Sequence, residues 1–165
     1  MTQSVVGSGR TGPGDGAAES NPLAGSTLAG HIPFLLARAR AAVTANANAA
    51  LDELGLKVRT FSVLWLAGEG LDPTQRELSD FLSLDPSQVV PLVDDLERRG
   101  AVSRQADPRD RRSRIIVITP AGRRLLRKAL ALTDAADDRS LSALTTEERA
   151  ALQALLGKVV GLPVG

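Results

Sequence analysis

The chain contains no cysteine and no tyrosine, and it has a single histidine among its 165 residues. The absence of cysteine excludes disulfide bonds, thiolate zinc sites and redox sensing by a thiol. With one histidine, acid–base catalysis near neutral pH has few candidate groups. No apolar run approaches the roughly 20 residues of a membrane span, and the N-terminus lacks a signal-peptide pattern. We therefore expect a cytoplasmic protein that has no membrane partner and no cofactor or metal.

Positive charge is concentrated in one segment, although the net charge of the chain is only +1. Residues 97–128 carry eleven Lys or Arg side chains and three acids, a net charge of +8, which leaves −7 for the rest of the chain. A basic face on an acidic body is typical of nucleic-acid binders, because basic side chains displace counterions from phosphates. The same pattern also fits a solvated charged surface without a partner.

The N-terminal third of the chain divides into a tail and two helices. Residues 1–27 are rich in Gly, Ser, Thr and Pro, and they predict a disordered tail. An Ala-rich segment over about 31–54 predicts a long helix with Pro33 in its first turn. A second, heavily apolar helix is predicted over Lys57–Gly70. Long helices with spaced apolar residues often pack on a partner chain, so the first helix suggests a dimer.

Two similar phrases, Leu71–Gln75 and Leu84–Gln88, each predict the start of a helix. In both, Asp caps free backbone N–H groups, Pro occupies the first turn, and Gln three residues after Asp completes a capping box. Thr74 with Glu77 is an equally good capping box, so the first of these helices begins either after Asp72 or two residues later, after Thr74.

The two helices that follow these phrases carry apolar residues at helical spacing. The second ends at Gly100, and together they form a helix-turn-helix pattern. The residues predicted to face the core are Leu78, Phe81 and Leu82 in the first helix and Val89, Leu92, Val93 and Leu96 in the second.

A β-hairpin is predicted next, with strands over Ala101–Gln105 and Arg114–Thr119. The charged loop between them, residues 106–113, is called the wing below. Thr119 and Pro120 then predict the start of a helix that runs to about residue 138, and a last helix begins near Thr145. A helix-turn-helix followed by a hairpin is a winged helix, so we expect a mainly α-helical fold with a small β-hairpin.

From Leu56 to Leu126 the chain resembles the MarR (multiple antibiotic resistance regulator) family of bacterial transcription factors. The resemblance is carried by the helix Leu78–Leu82, by the segment Asp85–Gly100, and above all by the wing Asp107–Arg112 with its exit Thr119–Gly122. The family resemblance implies a dimer with two winged-helix lobes that binds a pseudo-palindromic operator in double-stranded DNA and is often released by a small molecule.

The resemblance also implies a domain plan. The MarR-type domain would cover residues 28–162, with its winged-helix core over about 56–122. The helices over about 31–54 and 121–162 would form the homodimer. We expect a repressor, and a small aromatic or anionic effector.

In this plan residues 85–99 lie in the major groove, with the N-terminal turn nearest the base edges. Ser87 and Gln88 are the polar side chains within reach, and Gln can pair with adenine at two points. Helix capping alone also explains both residues. Pro91 departs from the family pattern: it either bends the helix or contacts a thymine methyl group.

The wing supplies the other predicted DNA contacts, which are Arg109, Asp110, Arg111, Arg112 and Arg114. By its position in the family pattern, Arg112 would enter the minor groove and Asp110 would orient it, since the potential there is strongly negative. Asp107 is interpreted equally well as a turn-forming residue before Pro108.

A ligand pocket is predicted between the dimerisation helices and the DNA-binding lobe, lined by His31, Phe34 and Arg38 on the first helix and by Phe61 and Trp65 on the second. Relatives often bind aromatic acids there, and Arg38 would hold a carboxylate. Plain core packing explains the three aromatic residues as well.

Two other functions fit parts of the sequence. A winged helix that binds proteins without sequence-specific DNA binding would be expected to lack an arginine-rich wing. A helical enzyme would need a nucleophile motif, a metal-ligand cluster or a nucleotide fingerprint, and the sequence contains none.

Overall fold

Six helices and one two-stranded sheet make up the regular structure of the computed structural model, which describes residues 21–110 and 112–162. The elements are α1 (Ile32–Leu51), α2 (Val58–Gly68), α3 (Gln75–Leu82), α4 (Pro86–Arg98), β1 (Val102–Ala106), β2 (Arg114–Ile118), α5 (Pro120–Ser140) and α6 (Thr146–Val160). None of the described helices combines the length and apolar character needed to cross a membrane. The mainly helical winged-helix fold expected from the sequence is confirmed.

The chain divides into two units, with the boundary between Arg38 and Ala39 inside α1. In the first unit, Pro22–Gly25 and Thr27–Gly30 form short 3-10 helices ahead of α1, and no described side chain is buried. Most of the predicted disordered tail, residues 1–20, lies outside the described residues.

In the second unit α2 is the central element of the core. It packs against α4, α5 and β2. α1 ends earlier than predicted, because Asp52–Leu54 forms a 3-10 turn and Gly55 adopts a left-handed conformation with φ of 62°. The largest fully buried side chains are Leu51, Leu56, Val63, Leu64, Leu78, Val89, Val93, Leu96, Val102 and Ile116.

The inward stripe predicted for α4 is confirmed, since Val89, Val93 and Leu96 are fully buried and Leu92 is half-buried. The prediction for α3 is wrong at Phe81, whose side chain is 58% exposed, whereas Leu78 is buried. A helix of eight residues covers the core with little more than one stripe, and Phe81 lies beside that stripe.

Thr74 caps α3, which resolves the choice that the sequence left open. Its hydroxyl accepts the Glu77 N–H at 3.2 Å, and the Glu77 carboxylate accepts the Thr74 N–H at 2.7 Å. Just before this cap, the Pro73 carbonyl accepts the Ile116 N–H at 2.8 Å, and Thr74 bridges Ile115. The start of the helix-turn-helix is therefore tied directly to the hairpin.

The exit from the hairpin explains the Thr-x-x-Gly motif. The Thr119 hydroxyl donates to the Gly100 carbonyl at 2.6 Å and accepts the Gly122 N–H at 3.0 Å. A Cβ atom added at Gly122 would lie 2.0 Å from the Ala101 carbonyl oxygen. α5 therefore begins in direct backbone contact with the residue that precedes β1.

Candidate nucleic-acid interface

The N-terminus of α4 is fixed by a reciprocal capping box. The Asp85 carboxylate accepts the Ser87 N–H at 2.8 Å, and the Gln88 side-chain oxygen accepts the Asp85 N–H at 3.3 Å. Hydrogen bonds from the Ser87 hydroxyl and from the Ser87 backbone N–H lower the pKa of Asp85. The box orients the first turn of α4, the turn that approaches base edges in a helix-turn-helix protein.

The capping role limits what Gln88 can offer to DNA in this conformation. Two-point pairing with adenine uses the amide oxygen as acceptor and the amide nitrogen as donor. The Gln88 oxygen already accepts the Asp85 N–H, so one of its two lone pairs is occupied while the capping box is closed. Ser87 is exposed, and its hydroxyl can donate or accept.

Pro91 lies inside α4, which continues without a break from Pro86 to Arg98. Pro91 is exposed, so its ring contributes no core packing. Because proline has no N–H, the Ser87 carbonyl lacks its helical partner.

Replacing Pro91 with alanine is therefore expected to stabilise the protein, by up to about 3 kcal/mol. Chemical denaturation of both proteins measures the difference in free energy of unfolding. An unchanged or lower stability would contradict this account of α4.

Two arginines of the basic segment serve the fold. Arg104 of β1 forms ion pairs with Asp94 and Glu97 of α4, and its backbone N–H lowers the pKa of Glu97. Arg99 binds the Asp95 carboxylate and donates to the carbonyls of the turn after α1. The charge available to DNA is therefore smaller than the net charge of the segment.

In the wing, Asp107 and Arg109 form the most extensively bonded pair. The Asp107 side chain is almost fully buried and accepts the Arg109 backbone N–H at 2.8 Å and its Nε at 3.0 Å. Arg109 also lies 3.9 Å from the Glu77 carboxylate at the start of α3. Arg109 thus links the wing to the helix-turn-helix, while more than half of its side chain stays exposed.

Asp110 closes the tip of the wing through a turn. Its carboxylate accepts the Arg112 backbone N–H at 3.0 Å and the Ser113 hydroxyl at 3.1 Å. Asp110 therefore holds the backbone of Arg112 rather than its guanidinium group. Arg112 and Arg114 are exposed, and neither has an ion-pair partner among the described residues. Arg111 lies outside the described residues.

The pKa of Asp107 is lowered, first by its side-chain hydrogen bond with Arg109. A carboxyl whose folded-state pKa is lowered stabilises the fold above its ordinary pKa, which is about 3.9, and this contribution disappears as pH falls through the lowered value.

We expect the Arg109 backbone amide resonance in an NMR titration to stay constant as the pH falls through the ordinary carboxyl pKa of about 3.9, and to shift only in stronger acid. Asp107→Asn, which keeps the turn but removes the charge, should release the Arg109 Nε–H to solvent exchange. A shift of the Arg109 amide resonance centred on the ordinary carboxyl pKa would show that the Asp107–Arg109 pair does not order the wing.

A cavity of about 610 Å³ lies within the second unit, between α1, α2 and the turn before α4. Arg40, Lys57 and Arg59 supply positive charge to its lining, and Gln88 and Leu92 of α4 also contribute. Lys57 is paired with Asp52, whereas Arg40 and Arg59 have no ion-pair partner among the residues described. The cavity therefore combines a cationic lining with direct contact to α4.

The five residues of the sequence-predicted pocket are divided between the two units. In the first, His31 is exposed, and the Arg38 guanidinium lies 5.7 Å from the centre of the Phe34 ring. In the second, Phe61 belongs to the core, while Trp65 is 41% exposed and its ring centre lies 5.4 Å from that of Phe61. Core packing therefore accounts for Phe61 but not for Trp65.

The place of Arg40 and Arg59 in the cavity could not be predicted, because nothing in the local sequence pattern distinguishes them from other surface cations. The sequence-predicted sites also leave out Val90, which is 44% exposed on the outward face of α4. The spacing of the buried residues of α4 indicated that Val90 is exposed, since it leaves position 90 outside the buried stripe.

A capped helix-turn-helix, a hairpin bonded to it, and exposed arginines at the hairpin tip define a winged-helix DNA-binding protein. The model of the MarR family matches residues 56–113. HTH-type transcriptional repressor Rv2887 of Mycobacterium tuberculosis is 32% identical over 128 residues, which cover 78% of this chain and 92% of that protein. The chain belongs to the MarR family and is a DNA-binding transcriptional regulator.

Solved structures give the same result. The crystal structure of CouR from Rhodococcus jostii RHA1 bound to p-coumaroyl-CoA is 39% identical with a TM-score of 0.76, over 85% of this chain and 99% of that chain. A MarR-family transcriptional regulator from Rhodococcus sp. RHA1 is also 39% identical with a TM-score of 0.77, over 81% and 96% of the two chains. The relatives are transcription regulators, not enzymes.

Proposed function

We propose that the protein is a repressor that binds a pseudo-palindromic operator as a homodimer in the cytoplasm and is released by a small aromatic anion. The observation that carries the DNA-binding part is the exposed Arg112 on a wing that Arg109 links to α3. α4 would enter the major groove, with Ser87, Gln88 and Pro91 facing the bases. Arg112, together with Arg111 and Arg114, would contact the minor groove and backbone.

Exposed apolar side chains on α6 support the homodimer. Leu155, Val159 and Val160 are each more than 60% exposed, and they lie on a helix that the sequence assigns to the dimer. Large apolar side chains clustered on a surface helix are typical of a protein–protein interface. A dimer would also place two copies of α4 opposite the two halves of a palindrome.

The cationic cavity supports an anionic effector. Two similar proteins are seen with such ligands: CouR was crystallised with p-coumaroyl-CoA, and Rv2887 with salicylic acid and p-aminosalicylic acid. In this chain Arg40 or Arg59 would hold the acidic group. Because Gln88 and Leu92 line the same cavity, an occupant would press on the helix that meets DNA. The ligand contacts predicted from the sequence at His31, Phe34, Arg38, Phe61 and Trp65 stay a separate prediction, since none of these residues lines the cavity.

A gel shift with the DNA upstream of the protein's own gene tests the DNA-binding proposal. We expect a discrete complex that a non-specific competitor does not remove. If neither this DNA nor genomic fragments selected at low salt are bound, the winged helix is a protein-interaction module.

The effector proposal predicts that salicylate, used as a probe, weakens operator binding by the wild-type protein. Arg59→Gln and Arg40→Gln should each raise the required salicylate concentration by about tenfold, the cost of losing one charge-assisted contact. Arg139→Gln on α5 removes a charge outside the cavity and should leave the response unchanged. An equal salicylate response of the wild type and the three variants would show that the effector binds outside this cavity.

A further inference from the structure

The outward face of α4 is unusually apolar at its centre. Its exposed residues in the first three turns include Ser87, Val90, Pro91 and Asp94, which follow the i, i+3, i+4, i+7 spacing of one helix face. Val90 is 44% exposed, and Pro91 beside it is exposed as well. Neither residue packs in the core, which α4 contacts through Val89, Val93 and Leu96.

The polar side chains around this apolar pair are already engaged. The Gln88 oxygen belongs to the capping box, and the Asp94 carboxylate binds Arg104. The Ser87 hydroxyl is exposed and hydrogen-bonds the Asp85 carboxylate, whose pKa it lowers. The middle of α4 therefore presents methyl groups and a proline ring, and few free hydrogen-bonding groups.

We propose that Val90 and Pro91 form an apolar reader that selects thymine, through its 5-methyl group, at one or two positions of each operator half-site. This inference rests on the proposed DNA binding by α4. It names Val90 as a specificity-determining residue. It also gives a reason for the presence of Pro91, which destabilises α4 and contributes nothing to the core.

The chemistry of the major groove supports this assignment. The thymine methyl is the apolar group that a base pair presents there, while guanine presents two acceptors and cytosine a donor. A valine and a proline placed over those polar groups would remove their water without replacing the hydrogen bonds. The pair should therefore favour T·A over G·C by both attraction and exclusion.

Substitution of thymine by deoxyuridine isolates the methyl group, because it leaves base pairing intact. An operator would first be selected from a random duplex pool with the full chain, and each thymine would then be replaced singly. We expect one or two positions per half-site where deoxyuridine weakens binding about fourfold, the value of one buried methyl group.

Variants of Val90 assign that effect to the side chain. Val90→Ala should weaken binding to the thymine operator and abolish the thymine–deoxyuridine difference at its position, whereas Val90→Ile should keep the difference. Circular dichroism of both variants checks that α4 remains folded, and the exposed position of Val90 makes unfolding unexpected.

Two results would overturn the proposal. One is equal affinity for the thymine operator and every deoxyuridine operator. The other is a Val90→Ala variant that discriminates as well as the wild type. Either result can occur while the protein still binds its operator, so the thymine-reading proposal can be wrong while the proposed DNA-binding function is right. Failure to recover any operator contradicts the proposed function itself.

Discussion

Arg112→Ala is expected to lower the affinity for the operator by about thirtyfold or more, since loss of one specific Arg contact costs about 1–3 kcal/mol and a dimer carries two wings. Asp110 fixes the backbone of Arg112 at the tip, while the guanidinium group has no ion-pair partner among the described residues. Because Asp110 already holds the backbone, only the side chain of Arg112 has to be ordered when it enters a narrow, negative minor groove.

The salt dependence of binding separates this mechanism from a general loss of structure. Each phosphate contact removed should reduce the slope of log affinity against log salt by about one. Fluorescence anisotropy titrations over a range of salt concentrations measure both quantities. Arg139→Ala, which removes the same charge from the last turn of α5, is the control and should leave both unchanged. An unchanged affinity and slope for Arg112→Ala would exclude the wing from the mechanism.

Gly122→Ala is expected to lower the free energy of unfolding by about 3 kcal/mol or more, the upper range for forcing atoms into a packed site. The new Cβ would lie 2.0 Å from the Ala101 carbonyl oxygen and 2.8 Å from its carbonyl carbon. Both are backbone atoms, so relief requires α5 and the start of β1 to separate. That movement would also strain the two hydrogen bonds of the Thr119 hydroxyl to Gly100 and Gly122.

Urea unfolding measures this loss, and operator titration should show weaker binding because the hairpin carries the wing. Gly25→Ala is the matched control, since a Cβ there meets nothing within 4 Å. A Gly122→Ala protein as stable as the wild type would show that the contact between the hairpin and α5 is not tight.

Local hydrogen bonding explains why so much of the helix-turn-helix could be predicted. Capping boxes depend on residues three apart, so the start of α4 at Asp85 and of α6 at Thr145 could be read directly. The hairpin also depends on local sequence, and its strands begin and end within one residue of the predicted bounds.

Roles that depend on distant partners could not be predicted. Arg99 reaches the carbonyls of Leu54 and Gly55, some 45 positions away in sequence, and only the packing of α4 on the turn after α1 brings them together. Arg104 meets Asp94 because β1 packs against α4. By sequence alone both arginines belong to the basic segment, since charge does not reveal a partner.

Hydroxyl-radical footprinting of the operator complex tests the central claim most directly, because the reagent reports which stretches of the sugar–phosphate backbone the protein covers. The winged-helix dimer predicts two symmetric sets of protection, with α4 copies about one helical turn apart and wing contacts on the outer flank of each half-site. In the Arg112→Ala complex the flanking protection should disappear while the centre remains. Uniform protection, or a footprint without two-fold symmetry, would contradict the account.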